Sequence, residues 1–221
     1  TFLLALGYMI AYWGGSAITQ RSHLALLRDV SQLSNPRFGV DQTITSVLEK
    51  TRSYFNGRSC LLVMQDKGER IWSLRSVIHT GDGVVHTSSL LSDDAASPLL
   101  AFPSDKIVLY NQPPGPWLPL VGGSRMLDVD SGRWLRHDAA AGASLAELLE
   151  AHSFISAPLP LRNGKGRIYI VSATSLGKTD ALFLSHIGAQ AFPVIENIEL
   201  LDRLASQAAS REREKMARDL H

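Results

Sequence analysis

The chain has 221 residues, of which 22 are Lys or Arg and 21 are Asp or Glu, so its formal net charge is +1, and it carries a single cysteine. That balance excludes a nucleic-acid binder working through its overall field, and a lone thiol excludes an intramolecular disulfide framework. With 45% hydrophobic residues the sequence can bury a sizeable core, at a length suited to one domain of about 150 residues plus appendages.

The sequence opens on Thr1 and closes on His221 inside a helical pattern, so it reads as a piece of a longer chain. No charge occurs in residues 1–20, and 2–13 are nearly all apolar. Tyr8, Tyr12 and Trp13 stand where an interfacial aromatic belt would, and Arg21 and Arg28 come next with no acid before Asp29. Residues 1–20 are therefore expected to be the end of a transmembrane helix, with the basic flank placing the residues after it on the cytoplasmic side. The alternative is a buried apolar helix of a soluble domain. A signal peptide finds no small-residue cleavage site.

Residues 21–36 predict a connector helix, because Leu26, Val30 and Leu33 recur at spacings of four and three before Asn35-Pro36 stops the pattern. A second helix is expected over 40–55, with Ile44, Val47, Leu48 and Tyr54 on its apolar side and Asn56-Gly57 ending it. The buried run 59–64, the turn Asp66-Lys67-Gly68 and the strand 70–78 predict a hairpin. Another strand is expected at 106–110. Pro113-Pro114-Gly115-Pro116 and Gly122-Gly123 then mark a long loop, and strands 125–129 and 133–136 flank the turn Asp130-Ser131-Gly132.

Ser144 is expected to cap a helix running through His152, and strands 154–161 and 167–173 to form a hairpin around Asn163-Gly164-Lys165-Gly166. Residues 180–221 predict one long helix, kinked at Pro193. In it Val194, Ile198, Leu201, Ala205 and Ala208 recur at four, three, four and three, the period of a coiled-coil seam, ahead of the charge-dense face Arg211-Glu212-Arg213-Glu214-Lys215. The element order is that of an α+β domain, an antiparallel sheet with helices on one side, bracketed by helices that continue outward.

Few residues carry recognisable site chemistry. Gly177-Lys178-Thr179 resembles the tail of a phosphate-binding loop, but Ser172 stands where the leading glycine belongs, so a turn whose Thr179-Asp180 caps the next helix is expected. His79 and His86 are the only close histidine pair, and no cluster has metal-ligand spacing, so no metal site is expected. A haem ligand among His79, His86, His137 and His152 stays open beside the reading of partly exposed or hydrogen-bonded core histidines. No G-x-S-x-G elbow occurs.

Two stretches carry a family resemblance. Residues 179–190 and 195–200, with the hairpin 154–173 before them, resemble the closing strands and exit helix of a GAF domain, a sensor module that binds small molecules or proteins on a roughly six-stranded antiparallel sheet. The resemblance spans about 38–200 and implies a GAF-like sensor domain over 37–192. The cyclic-nucleotide signature of that family and the Cys-His pair of its bilin-carrying members are absent. Cys60, in a strand, reads as a core residue. Any small ligand is expected between the sheet and the loop 111–125, with Trp117 in the lid.

The second stretch is Glu212-Arg213-Glu214-Lys215-Met216-Ala217-Arg218-Asp219-Leu220-His221. It resembles the phosphoacceptor motif of two-component sensor histidine kinases of the nitrate-sensor and desaturase-sensor type, with Lys215 and Met216 in place of Arg and Ile. The resemblance implies that 193–221 is a signalling coiled coil and the start of the dimerisation and histidine-phosphotransfer helix, and that His221 is the catalytic phosphoacceptor. Imidazole, with a pKa of about 6.5, is available as a neutral nucleophile at cytoplasmic pH. A helix-end histidine balancing the macrodipole is the alternative.

The implied protein is the sensory and phosphoacceptor portion of a membrane-bound kinase. It would hold no cofactor in these residues, and ATP with Mg would serve the full-length enzyme. Its partners would be a second copy of itself, the membrane, the receiver domain of a response regulator and an unidentified small-molecule or protein signal, with no nucleic acid. Two alternatives stand beside it: a non-enzymatic GAF-type ligand-binding or dimerisation module, and a membrane-tethered regulator with another output domain.

Overall fold

Helix α1 (Val40–Tyr54) forms where Thr43, Ile44, Val47, Leu48 and Thr51 line up at spacings of three and four on one buried stripe. Gly39, at φ 76°, turns the chain into it, and its carbonyl accepts from both the amide and the hydroxyl of Thr43. Asp41 in the first turn and Arg52 in the last suit the helix dipole. The helix ends as expected. Asn56 takes the left-handed conformation at φ 47°, and at Gly57 a Cβ would lie 3.1 Å from the Val171 carbonyl oxygen.

The computed structural model describes residues 39–66, 71–113, 123–128, 131–162 and 164–219, together with Ala25 and Arg28. After α1 come β1 (Ser59–Asp66), β2 (Trp72–Thr80), β3 (Gly83–Leu91), the short α2 (Asp93–Ala96) with a 3-10 turn (Ser97–Leu100), β4 (Lys106–Asn111), β5 (Gly123–Asp128) and β6 (Arg133–Arg136). The chain continues through α3 (Ala139–Leu148), β7 (Ser153–Pro158), β8 (Gly164–Ser172) and the 42-residue α4 (Lys178–Asp219). The strands make one sheet in the order β3-β2-β1-β8-β7-β4-β5-β6, every neighbouring pair antiparallel.

Eight strands replace the six or so that the family resemblance implies. One of them, β3, is unannounced in the sequence: after Val84 and Val85 it runs His86-Thr87-Ser88-Ser89, exposed on both faces, so no burial alternation marks it. It is held as the edge partner of β2, with His86 opposite Val77.

The sheet is covered on both faces, not one. In the central strands Cys60-Leu61-Leu62-Val63 and Ile168-Tyr169-Ile170-Val171, successive residues are all buried, and only a sheet with two covered faces buries both parities. Leu62, Leu109, Ile155 and Ile170 pack on α1 and on Phe183, Leu184, Ile187 and Phe192 of α4. Leu61, Val108, Phe154, Tyr169 and Val171 pack beneath Ala96 and Leu99 on one side and Leu145 and Ala146 of α3 on the other.

Two boundaries move. Asp138, not Ser144, caps α3, its carboxylate accepting the Ala140 amide at 2.9 Å, and Ser144 sits inside the helix. Asp138 sits directly ahead of the helix-favouring run Ala139-Ala140-Ala141, and a side-chain acceptor there satisfies an amide that the first turn leaves free. The residues Gly164-Lys165-Gly166 belong to β8, opposite Asp66, Gln65 and Met64, so they extend the strand and not the turn. At Gly166 the strands approach closely: a Cβ there would stand 3.0 Å from the Val63 carbonyl oxygen.

Pro193 lies inside α4, which continues past it. The backbone of α4 passes through Val194, Ile198, Leu201, Ala205 and Ala208, but the side chains of that seam are outside the described residues, as are 1–20 and the connector 21–36 apart from Ala25 and Arg28. Among the described residues no helix is long and apolar enough to cross a membrane.

Candidate functional site

The face of the sheet turned away from α1 and α4 is organised by Arg167, near the start of β8. Its side chain is buried and donates from Nε to Ser156 Oγ (2.8 Å), from Nη1 to the Pro103 carbonyl (2.7 Å) and from Nη2 to the Lys106 and Ser156 carbonyls (2.8 and 3.3 Å). The guanidinium also lies 5.9 Å from the Phe102 ring centre. Burial pushes its pKa below the ordinary value, opposed by Tyr169 and Asp105. Four bonds to neutral oxygens thus hold a desolvated cation and tie β7, β8 and the approach to β4 together.

Aromatic rings fill the same face. Tyr110 stacks on Phe154 at 5.4 Å, and Phe154 meets Tyr169 at 6.5 Å and Phe102 at 6.1 Å. The Tyr169 hydroxyl donates to the Leu99 carbonyl, and burial raises its pKa.

Beside these rings opens a cleft of about 510 Å³ between the end of β4 and α3, lined by Tyr110, Gln112, Ala146, Glu147, Glu150 and His152 among others. Burial raises the Tyr110 phenol. Glu150 is held at 2.9 Å by Arg58. The helix comes this close because position 142 is glycine: a Cβ there would lie 2.8 Å from the Tyr110 ring. Gln112, from the segment 111–125, is among the residues that line the cleft. Trp117 lies outside the described residues.

Next to Gln112, Asn111 reaches the link that leads into α4. Its Nδ2 donates to the Leu176 carbonyl (3.0 Å) and its Oδ1 accepts the Leu176 amide (2.9 Å), while the Ser153 hydroxyl donates to the Thr174 carbonyl. The link from β8 to α4 is therefore stapled to the strands that border the cleft. At its end Asp180 accepts the Gly177 amide at 2.7 Å, so Gly177-Lys178-Thr179 is a helix-capping turn.

Cys60 is fully buried on the α1 and α4 face. Burial pushes its thiol well above the ordinary range, the cation of Arg52 opposing only weakly. The native protein at pH 8 is therefore expected to resist an aromatic disulfide reagent that labels it at once in urea; rapid labelling of the native form would contradict that burial. The folded state keeps this proton above about pH 8.5, where the unfolded thiol loses it, so the thiol's contribution to stability is complete below that pH and declines as pH rises.

Among the described residues the candidate histidines fall in three places, with His79 and His86 as diagonal neighbours on one face of the edge hairpin. His79 stands opposite Val84 and His86 opposite Val77 on the edge hairpin, His137 meets the Phe102 ring at 6.0 Å, and His152 lines the cleft. Among the described residues no group of three or more His, Cys, Asp or Glu side chains is placed to hold a metal ion. His221 lies outside the described residues; α4 is described to Asp219. Periodicity and motifs do not single out Arg167 or Tyr169, although an arginine ahead of an otherwise apolar strand is a visible signal.

An antiparallel sheet with entry and exit helices on one face, and short helices with a cleft on the other, matches known structures. The phycoerythrobilin-bound GAF domain of a cyanobacterial phytochrome superposes with a TM-score of 0.60 at 12% identity, covering 81% of this chain and 97% of that one. The fold is that of a GAF domain. A phycocyanobilin-bound GAF domain, also from a cyanobacterial phytochrome, gives 0.60 at 11% identity over 80% of this chain and 96% of that one. The nlh2 GAF domain of A. aeolicus in an inactive state gives 0.51 at 12% identity over 80% and 97%. No protein-family model matches the sequence, and no curated protein does. In this GAF-like fold the single cysteine is sealed on the face covered by α1 and α4, away from the cleft.

Proposed function

We propose that this chain is the sensory and phosphoacceptor portion of a membrane-bound two-component sensor histidine kinase, with His221 as the residue phosphorylated. The observation that carries the reading is the continuity of α4. It leaves the GAF sheet at Lys178 and runs unbroken for 42 residues to Asp219, inside the motif that ends on His221. At about 1.5 Å per residue such a helix reaches roughly 60 Å, enough to carry a packing change at the sheet to a distant catalytic step.

In this reading a small-molecule signal occupies the cleft beside Tyr110 and Gln112, and the Asn111 staple passes its effect to the start of α4. Two chains pair through α4 and through the connector helix expected over 21–36, with Leu26, Val30 and Leu33 on its seam. Leu200 and Leu204, 54% and 53% exposed and one turn apart, offer apolar surface that a partner helix would cover. The uncharged residues 1–20 would anchor the protein in the cell membrane, with the GAF domain and α4 on the cytoplasmic side. ATP with Mg would be bound by a separate catalytic domain, and a receiver-domain aspartate would take the phosphoryl group.

The test is phosphorylation of the intact protein with radiolabelled ATP and Mg. The expected product is an acid-labile, base-stable phosphate that chases onto a receiver domain, whereas the 221-residue chain alone stays unlabelled. Acid-stable label on the intact protein would refute the reading.

A further inference from the structure

The hairpin of β5 and β6 places Arg125 directly opposite Arg136. Like charges facing each other across a strand pair are destabilising. Alternation puts both on the face that carries Leu127 and Trp134. Lys178, the first residue of α4, comes to the same place, with its Nζ 5.5 Å from the centre of the Trp134 ring. These side chains, with Leu135, line an open cleft of about 240 Å³ at the end of the sheet, on the α4 side and apart from the cleft beside Tyr110.

Three cations and no acid line this cleft. Neither arginine has an ion pair or hydrogen bond within the described residues. The acids nearest in sequence are engaged elsewhere: Asp128 lies 3.4 Å from Lys106 Nζ, Asp138 caps α3, and Asp180 caps the turn before α4.

We infer that this cleft is an oxyanion site that takes the phosphoryl group of a small phosphate ester. Two guanidinium forks offer paired N–H donors in the geometry that phosphoryl oxygens accept, and the ammonium adds a third positive charge. A phosphoryl dianion offsets two of the three charges, where a monocarboxylate offsets one. The volume admits a phosphoryl group with a short organic stem, which would lie along the Trp134 edge. Such a ligand bridges the β5–β6 hairpin to the first turn of α4, and its binding does not depend on the kinase reading.

The test is a titration of the 221-residue chain, monitored through the indole N–H resonance of Trp134 as assigned with Trp134→Phe. The probes are inorganic phosphate and methyl phosphate, against chloride and acetate at equal ionic strength. Both phosphates are expected to shift the resonance saturably, with millimolar or tighter dissociation constants. Arg125→Gln with Arg136→Gln should weaken them at least about tenfold, since each removes a charge-assisted bond. The Lys pair at the same positions keeps the charge and the fold while losing the forks, and should fall between. Lys178→Gln, at an exposed helix start, should weaken binding about threefold or more. A shift matched by chloride, acetate binding as tight as phosphate, or full affinity in the double Gln variant would each overturn the assignment.

Discussion

Arg167→Ala is expected to destabilise the domain by about 3–5 kcal/mol, the range for breaking a buried charged network from one side. The guanidinium donates to Ser156 Oγ, to the Lys106 carbonyl and to the Pro103 carbonyl, which also accepts the Lys106 amide. Truncation leaves those oxygens in a space walled by Phe102 and Phe154, each lost partner costing on the order of 1–3 kcal/mol before water enters. It also removes the packing of the arginine stem. Arg167→Met restores much of that volume but none of the donors, so it should recover only about 1–2 kcal/mol of the loss. Urea denaturation of the three proteins checks this; a loss below about 1 kcal/mol for the alanine variant would show that Arg167 does not organise this face.

His221→Gln in the intact protein should abolish acid-labile phosphate while leaving the GAF domain folded. Glutamine keeps a polar side chain of similar reach but has no ring nitrogen with a free lone pair to attack the γ-phosphoryl group. The proposed reaction would make a bond from imidazole nitrogen to phosphorus and break the bond between the γ-phosphorus and the bridging oxygen of ATP, with ADP leaving and the ring proton passing to solvent. Because His221 follows the described part of α4, whose described core residues run from Ala181 to Ile195, its loss should not change the unfolding transition of the domain. The comparison therefore has two readouts, label and stability. Acid-labile phosphate persisting on the glutamine variant would place the nucleophile elsewhere, and loss of the fold would mean that this end of the chain packs on the domain.

Much of the fold is local in origin and legible in the sequence. The α1 stripe, its stop at Asn56-Gly57, the β1–β2 hairpin, the β5–β6 hairpin and the long α4 each come from periodicity or turn chemistry within a few residues. The motif ending on His221 is equally local, which is why sequence alone raises it. Cys60 as a core residue is likewise legible from its place in an apolar run. Other features depend on what the chain meets far away in sequence. The middle of strand β3, His86 to Ser89, is polar on both faces, and the strand is held as the edge partner of β2. The second covered face, the Arg167 network spanning 64 residues back to Pro103 and the Asn111 staple spanning 65 residues to Leu176 are non-local contacts. The Arg125 and Arg136 pair acquires meaning only when Lys178 is brought beside it. Periodicity records which residues are buried; which polar groups share a buried space is decided by sheet order and register, because a desolvated donor or charge must find its partner wherever the tertiary fold places one.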